Sequence, residues 1–171
     1  VNDQVLHGIQ WNPYSEIEVY LDGALITTGI SNQDGMVEIA NLKVKPDQKL
    51  KLTDGMYTKK HVVQALKITS VDPLTDKVKG TADPGSVVTV TALIDWGEEP
   101  AAIIPVTTKA DGTWLAKFTS VGWDIQEDSF GVSEICDNDG DCTAMTWESP
   151  PDDISPDYGE KLTTSKVTFD W

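Results

Sequence analysis

The stretch that decides the fold runs from Leu66 to Val90: L-K-I-T-S-V-D-P-L-T-D-K-V-K-G-T-A-D-P-G-S-V-V-T-V. Its first seven residues alternate apolar and polar side chains, the pattern of a strand with one buried face. Asp72-Pro73 ends that strand. Lys77–Thr81 alternates again, Asp83-Pro84-Gly85 turns the chain, and Val87–Ile94 opens a third strand. Part of this unit stands once before, at Asn2–Val19: N-D-Q-V-L-H-G-I-Q-W-N-P-Y-S-E-I-E-V. Asp3 matches Asp76, Val5 matches Val78, and Gly8 matches Gly80. Asn12-Pro13 matches Asp83-Pro84, Ser15 matches Ser86, and Ile17 and Val19 match Val88 and Val90, with one-residue insertions between. An internal repeat means one supersecondary plan used twice. The first copy has nothing that corresponds to Leu66–Asp72.

The rest of the chain reads in the same way. Strands are expected at Val5–Trp11, Glu16–Leu21, Ala24–Ile30, Met36–Leu42, Lys49–Thr53 and Thr58–Val63. In the second copy they are expected at Leu66–Asp72, Lys77–Thr81, Val87–Ile94, Ala102–Thr108, Trp114–Phe118, Phe130–Cys136 and Cys142–Trp147. Asp-Gly pairs at 22–23, 34–35, 54–55, 111–112 and 139–140 supply tight turns between them. Short strands with a turn about every 8–12 residues describe an all-β fold of sandwich type. The expected organisation is therefore two tandem β-sandwiches, residues 1–65 and 66–148, followed by an extension, 149–171. Glu148–Gly159 carries three prolines and four acids and reads as an extended linker. Lys161–Trp171 returns to strand character, with Val167, Phe169 and Trp171 alternating with Thr168 and Asp170.

The 171 residues carry a formal net charge of -15, and all thirteen cationic side chains are lysine. Nucleic acid is excluded as an expected partner, because phosphate contacts need clustered basic residues. No apolar run approaches the length of a membrane span, so membrane insertion is not expected either. The two cysteines, Cys136 and Cys142, flank D-N-D-G-D, a hairpin turn. Facing positions of an antiparallel pair lie within bridging distance. A disulfide is expected there, and with it an oxidising, extracellular location at the cell surface.

The second copy resembles the bacterial immunoglobulin-like (Big-type) domains strung along secreted and cell-surface proteins. The resemblance rests on G-T-A-D-P-G at Gly80–Gly85, V-T-V at Val88–Val90, A-D-G-T-W at Ala110–Trp114 and D-N-D-G-D-C-T at Asp137–Thr143. The first copy resembles the partner domain often found ahead of such a module, through G-I-Q-W-N-P and the alternating strand behind it. The resemblance implies two immunoglobulin-like sandwiches in tandem. It leaves spacer, adhesin and accessory roles open.

No catalytic motif is present: no G-x-S-x-G, no H-E-x-x-H and no phosphate-cradling glycine loop. The chain has two histidines, His7 and His61, each expected to be an ordinary strand residue, and no enzymatic activity is expected. No cofactor is required. Calcium is the cation that Asp137, Asp139 and Asp141 would take, since hard cations want several carboxylate oxygens. Against an EF-hand-like loop, Cys142 stands where the sixth position needs glycine. The competing reading is a solvated hairpin tip. Trp11, Trp114 and Trp147 fall at strand positions and are expected in the core. Trp96 and Trp123 fall in loops, as lids over the sandwich ends or as platforms for a surface glycan.

These features lead to an expected function that is structural. The chain is read as a subunit of an extracellular filament or surface array, with identical subunits as head-to-tail partners. Val167, Phe169 and Trp171 of one subunit are expected to enter the first domain of the next and complete its sheet by strand addition. The alternative is a non-catalytic accessory, carbohydrate-binding or spacer segment of a larger secreted protein.

Overall fold

The structure, a computed structural model, describes residues 5–94 and 99–150. It is built almost wholly of antiparallel strands. Among the described residues the only helical segments are short 3-10 turns at Pro73–Thr75 and Phe118–Val121. None is long and apolar enough to cross a membrane. By their internal contacts the residues fall into two units. Of the described residues, the first comprises 5–65 with 135–143, and the second 66–94, 99–134 and 144–150.

In the first unit, β1 (Leu6–Gly8) pairs with β4 (Val37–Ile39). β2 (Glu16–Leu21), β3 (Ala24–Ile30), β5 (Lys49–Thr53) and β6 (Thr58–Val62) form a second sheet in the order β3-β2-β5-β6. Period-2 alternation decides which residues face inward. In β2, Ile17 and Val19 are fully buried while Glu16 is exposed. Those two pack with Leu50 and Leu52 of β5 and with Val37 and Ile39 of β4, so one core joins the two sheets. Trp11, Leu42 and Val63 belong to the same core. Between β2 and β3, Asp22 and Gly23 both take left-handed backbone (φ 50° and 87°), as a two-residue hairpin turn whose twist suits the strands requires.

The second unit repeats this plan with one strand more. β8 (Lys77–Ala82) pairs on one side with β11 (Thr113–Lys117) and on the other with β7 (Leu66–Asp72). The other sheet runs β10-β9-β12-β13, from β9 (Val87–Leu93), β10 (Ala102–Thr107), β12 (Phe130–Cys136) and β13 (Cys142–Glu148), the tip of the β12–β13 hairpin, 135–143, being counted with the first unit. Val78, Val88, Val90, Ala92, Trp114, Ala116 and Phe118 are buried in the core of the second unit.

The two copies share a backbone hydrogen-bonding scheme. Ser31 N donates to Ser15 O (3.0 Å), as Thr108 N donates to Ser86 O (2.8 Å). Tyr14 N donates to Ser31 O (3.1 Å), as Gly85 N does to Thr108 O (3.0 Å). Trp11 N donates to Gly35 O, as Ala82 N does to Gly112 O, both at 3.0 Å. These bonds superpose Asn12-Pro13 on Asp83-Pro84 and Ser15 on Ser86.

They also correct the register at the start. Gly8 pairs with Val37 and Leu6 with Ile39, while Gly80 pairs with Trp114 and Val78 with Ala116. With Gly35 on Gly112, Leu6 and not Val5 is the counterpart of Val78. The single extra residue lies between Gly8 and Trp11, where Gln10 has a φ of 65°. That left-handed residue also ends β1 at Gly8, short of Trp11. Asn41, with a φ of 59°, sits just beyond the early end of β4.

Candidate functional site

Three places in the fold carry chemistry beyond packing. The first is the outer edge of β1. In the second unit that position beside β8 is filled: Leu66 pairs with Ala82, Ile68 with Gly80 and Val71 with Val78. In the first unit, among the described residues, β1 pairs with β4 alone. Gly8 marks why this edge lies close to the core. A Cβ there would stand 2.8 Å from Val37 Cγ1 and 2.9 Å from Trp11 Nε1, so only glycine fits under the indole. Gly80 under Trp114 and Gly131 under Trp147 are built the same way. The three tryptophans are 4%, 2% and 3% exposed. The expected donor residues Val167, Phe169 and Trp171 lie outside the described residues, as does Trp96.

The second place is the tip of the β12–β13 hairpin. Cys136 and Cys142 form a disulfide across it. Asp137, Asp139 and Asp141 alternate in the loop so closed, and a carboxylate oxygen from each lies within 4.8 Å of the others. Asp137 Oδ1 accepts the Asp141 amide (3.0 Å), and Asp137 Oδ2 lies 2.9 Å from His61 Nδ1. His61 Nε2 lies 2.9 Å from Thr143 Oγ1, which also accepts the Gln64 amide (2.9 Å). Burial alone would raise the Asp137 carboxyl. Its hydrogen bonds with His61, Asp139 and the Asp141 amide outweigh that, and hold it below the ordinary carboxylate value. Asp139 is pushed the other way, chiefly by its hydrogen bond with Asp137. His61 is thus no ordinary strand residue. The sequence held no sign of this, because its partners lie 76 and 82 residues away.

The third place is a cavity of about 400 Å³ in the second unit. Leu93, Ile94, Trp123, Asp124, Gln126 and Asp128 are among the residues that line it. Trp123 is half-buried and packs on Phe118 at 5.2 Å between ring centroids, inclined by 60°. The loop carrying these groups is anchored along its length. Trp123 N donates to Phe118 O (3.1 Å), Ile125 N to Asp76 Oδ1 (2.9 Å), Gln126 N to Ser129 Oγ (2.9 Å) and Ser149 N to Ser129 O (2.7 Å).

No protein-family model matches the chain, and no curated protein matches it in sequence. Several solved structures show partial similarity, among them the following three. A tetra-tandem repeat from the extending region of a large adhesion protein is 13% identical, with a TM-score of 0.36 over 86% of this chain and 45% of that one. The BSP domain of a biofilm-associated protein is 18% identical, with a TM-score of 0.35 over 85% of this chain and 27% of that one. A Ca²⁺-stabilised adhesin that helps an Antarctic bacterium reach out and bind ice is 14% identical, with a TM-score of 0.28 over 83% of this chain and 41% of that one. The chain therefore spans less than half the length of each. Identities and scores this low do not assign it to a family.

Proposed function

We propose that the chain is a structural subunit of an extracellular filament or surface array, its copies joined head-to-tail by strand addition. One observation carries this reading: a strand covers the outer edge of β8, and among the described residues none covers the same edge of β1. A free edge presents unpaired amides and carbonyls, which natural proteins cover or use. Lys161–Trp171 is the proposed strand. Set on the pattern of β7, Val167 takes the place of Leu66 and Phe169 that of Ile68, opposite Gly8. Such a contact is not self-complementary and propagates as a fibre. The disulfide accords with an oxidising location outside the cell.

Deletion of Lys161–Trp171 tests the reading. Electron microscopy should show fibres for the whole chain and only soluble monomers for the truncated one. Fibres that form equally well without the tail would overturn it, and a whole chain that stays monomeric would favour an accessory segment of a larger secreted protein.

Calcium at Asp137, Asp139 and Asp141 belongs to the same proposal, as a stiffener of the hairpin. Three carboxylates with an oxygen each within 4.8 Å of the others offer a divalent cation the hard ligands it takes. Calorimetric titration of calcium into chelator-treated protein should give a saturating heat that Asp139→Asn abolishes. A flat trace at millimolar calcium removes the cation.

A further inference from the structure

We infer that the cavity beside Trp123 is a binding site for a neutral saccharide. Sugar recognition asks for two things at once: an apolar surface for the C–H face of the ring, and planar carboxylate or amide groups for its hydroxyls. This cavity has both. Trp123, Leu93 and Ile94 give the apolar side, and Ile94 is 71% exposed. Asp124, Gln126 and Asp128 give the polar side, with Asp124 Oδ2 and Gln126 Nε2 3.4 Å apart as a paired acceptor and donor.

The site, about 400 Å³, is an open depression rather than an enclosed pocket, so a ligand resting there keeps one face in water. The anchoring bonds to Phe118, Asp76, Ser129 and Ser149 hold the loop ready, so little ordering entropy opposes binding. The charge narrows the ligand class. Among the described residues that line it there is no lysine, and several carboxylates are present, in a chain of net charge -15. Uronic and sialic acids are repelled by that field. A metal ion is poorly served, because among the described residues the acids whose ligand atoms converge within 4.8 Å do not include those of the cavity. A neutral ring spanning Trp123 and Gln126 fits what remains. None of the described lining residues belongs to β1, and the inference draws on none of the proposed donor residues, so it stands or falls apart from head-to-tail assembly.

The test uses the whole chain titrated calorimetrically with cellohexaose, maltohexaose, mannohexaose and the hexamer of N-acetylglucosamine, each to about 10 mM. At least one should bind with a Kd of about 1 mM or tighter, and added salt should leave that Kd unchanged. Trp123→Ala should weaken it about tenfold or more, and Gln126→Ala, an exposed position that leaves the fold intact, should weaken it severalfold. No heat with any of the four sugars overturns the inference. So does binding unaltered in both variants, or binding confined to a lysine-rich peptide and lost in salt.

Discussion

His61 Nδ1 stands 2.9 Å from Asp137 Oδ2, inside a ring of hydrogen bonds that fixes residues 137–143 against β6. The imidazole is 11% exposed. Replacing it takes one hydrogen-bond partner from the Asp137 carboxylate and one from the Thr143 hydroxyl. His61→Ala should cost about 1–3 kcal/mol in urea unfolding. It should also speed amide exchange at Asp141 and Gln64 more than in the strands of the second unit. Equal protection in both proteins would mean that the ring of bonds is ornamental.

Acid should reveal two opposed carboxylates in the same loop. Asp137 has its folded value lowered, so its contribution is present above the unfolded value of about 3.9 and is lost as pH falls through the lower folded one. Asp139 has its folded value raised, so its contribution is present below about 3.9 and is lost as pH rises through the higher folded value. Urea midpoints should therefore rise in Asp139→Asn at pH 7 and fall in Asp137→Asn at the same pH. Asp22, Asp54 and Asp111 are also lowered, chiefly by hydrogen bonds from the Lys49 amide, the Tyr57 amide and the Thr113 hydroxyl. Together with Asp137 they predict a loss of stability below about pH 4.

The disulfide closes a short loop, its cysteines six positions apart in the sequence. Chain-entropy reasoning gives about 2 kcal/mol for a loop of that size. Reduction should lower the unfolding free energy by about that amount without unfolding the protein, and Cys136→Ser with Cys142→Ser should match the reduced form. A loss of all folded structure on reduction would show that the core depends on the bridge.

Much of this was legible in the sequence, for reasons that particular residues make plain. β2, β3 and β5 match the expected bounds residue for residue, because E-I-E-V-Y-L and K-L-K-L-T alternate without interruption and Asp-Gly pairs flank them. The repeat was visible because glycine and Asx-Pro positions answer to backbone geometry. What escaped was set by tertiary contact. The ends of β1 and β4 depend on left-handed Gln10 and Asn41, residues that carry no obligate turn signal. The buried Ser31 hydroxyl, which donates to Asn12 O and accepts from Ser15 N, looked like any loop serine. His61 and the cavity at Trp123 depend on residues far apart in the chain.

The glycines under the tryptophans should be intolerant of change. A Cβ on Gly80 would run into Lys67 O and the Trp114 ring, and one on Gly131 into Thr91 O and the Trp147 ring. A backbone oxygen cannot rotate aside, so each Ala variant should lose about 3 kcal/mol or more. Gly55→Ala is the control. Its Cβ would meet nothing within 4 Å, and only its left-handed φ of 85° costs, about 1 kcal/mol. Comparable losses at all three sites would argue against tight glycine–indole packing.

The edge of β1 that no described strand covers is the centre of the proposed assembly. The measurement that reaches it most directly is amide exchange, by nuclear magnetic resonance, on the chain truncated after Glu160, with and without a synthetic Lys161–Trp171 peptide. If the tail adds to this edge, the outward-facing amides of Leu6–Gly8 should exchange freely in the truncated chain and become protected at one equivalent of peptide. A peptide carrying Asp at position 171 should fail to protect them, because it would bury an unpaired carboxylate. Outward amides already protected without peptide, or unprotected at saturating peptide, would contradict strand addition at β1.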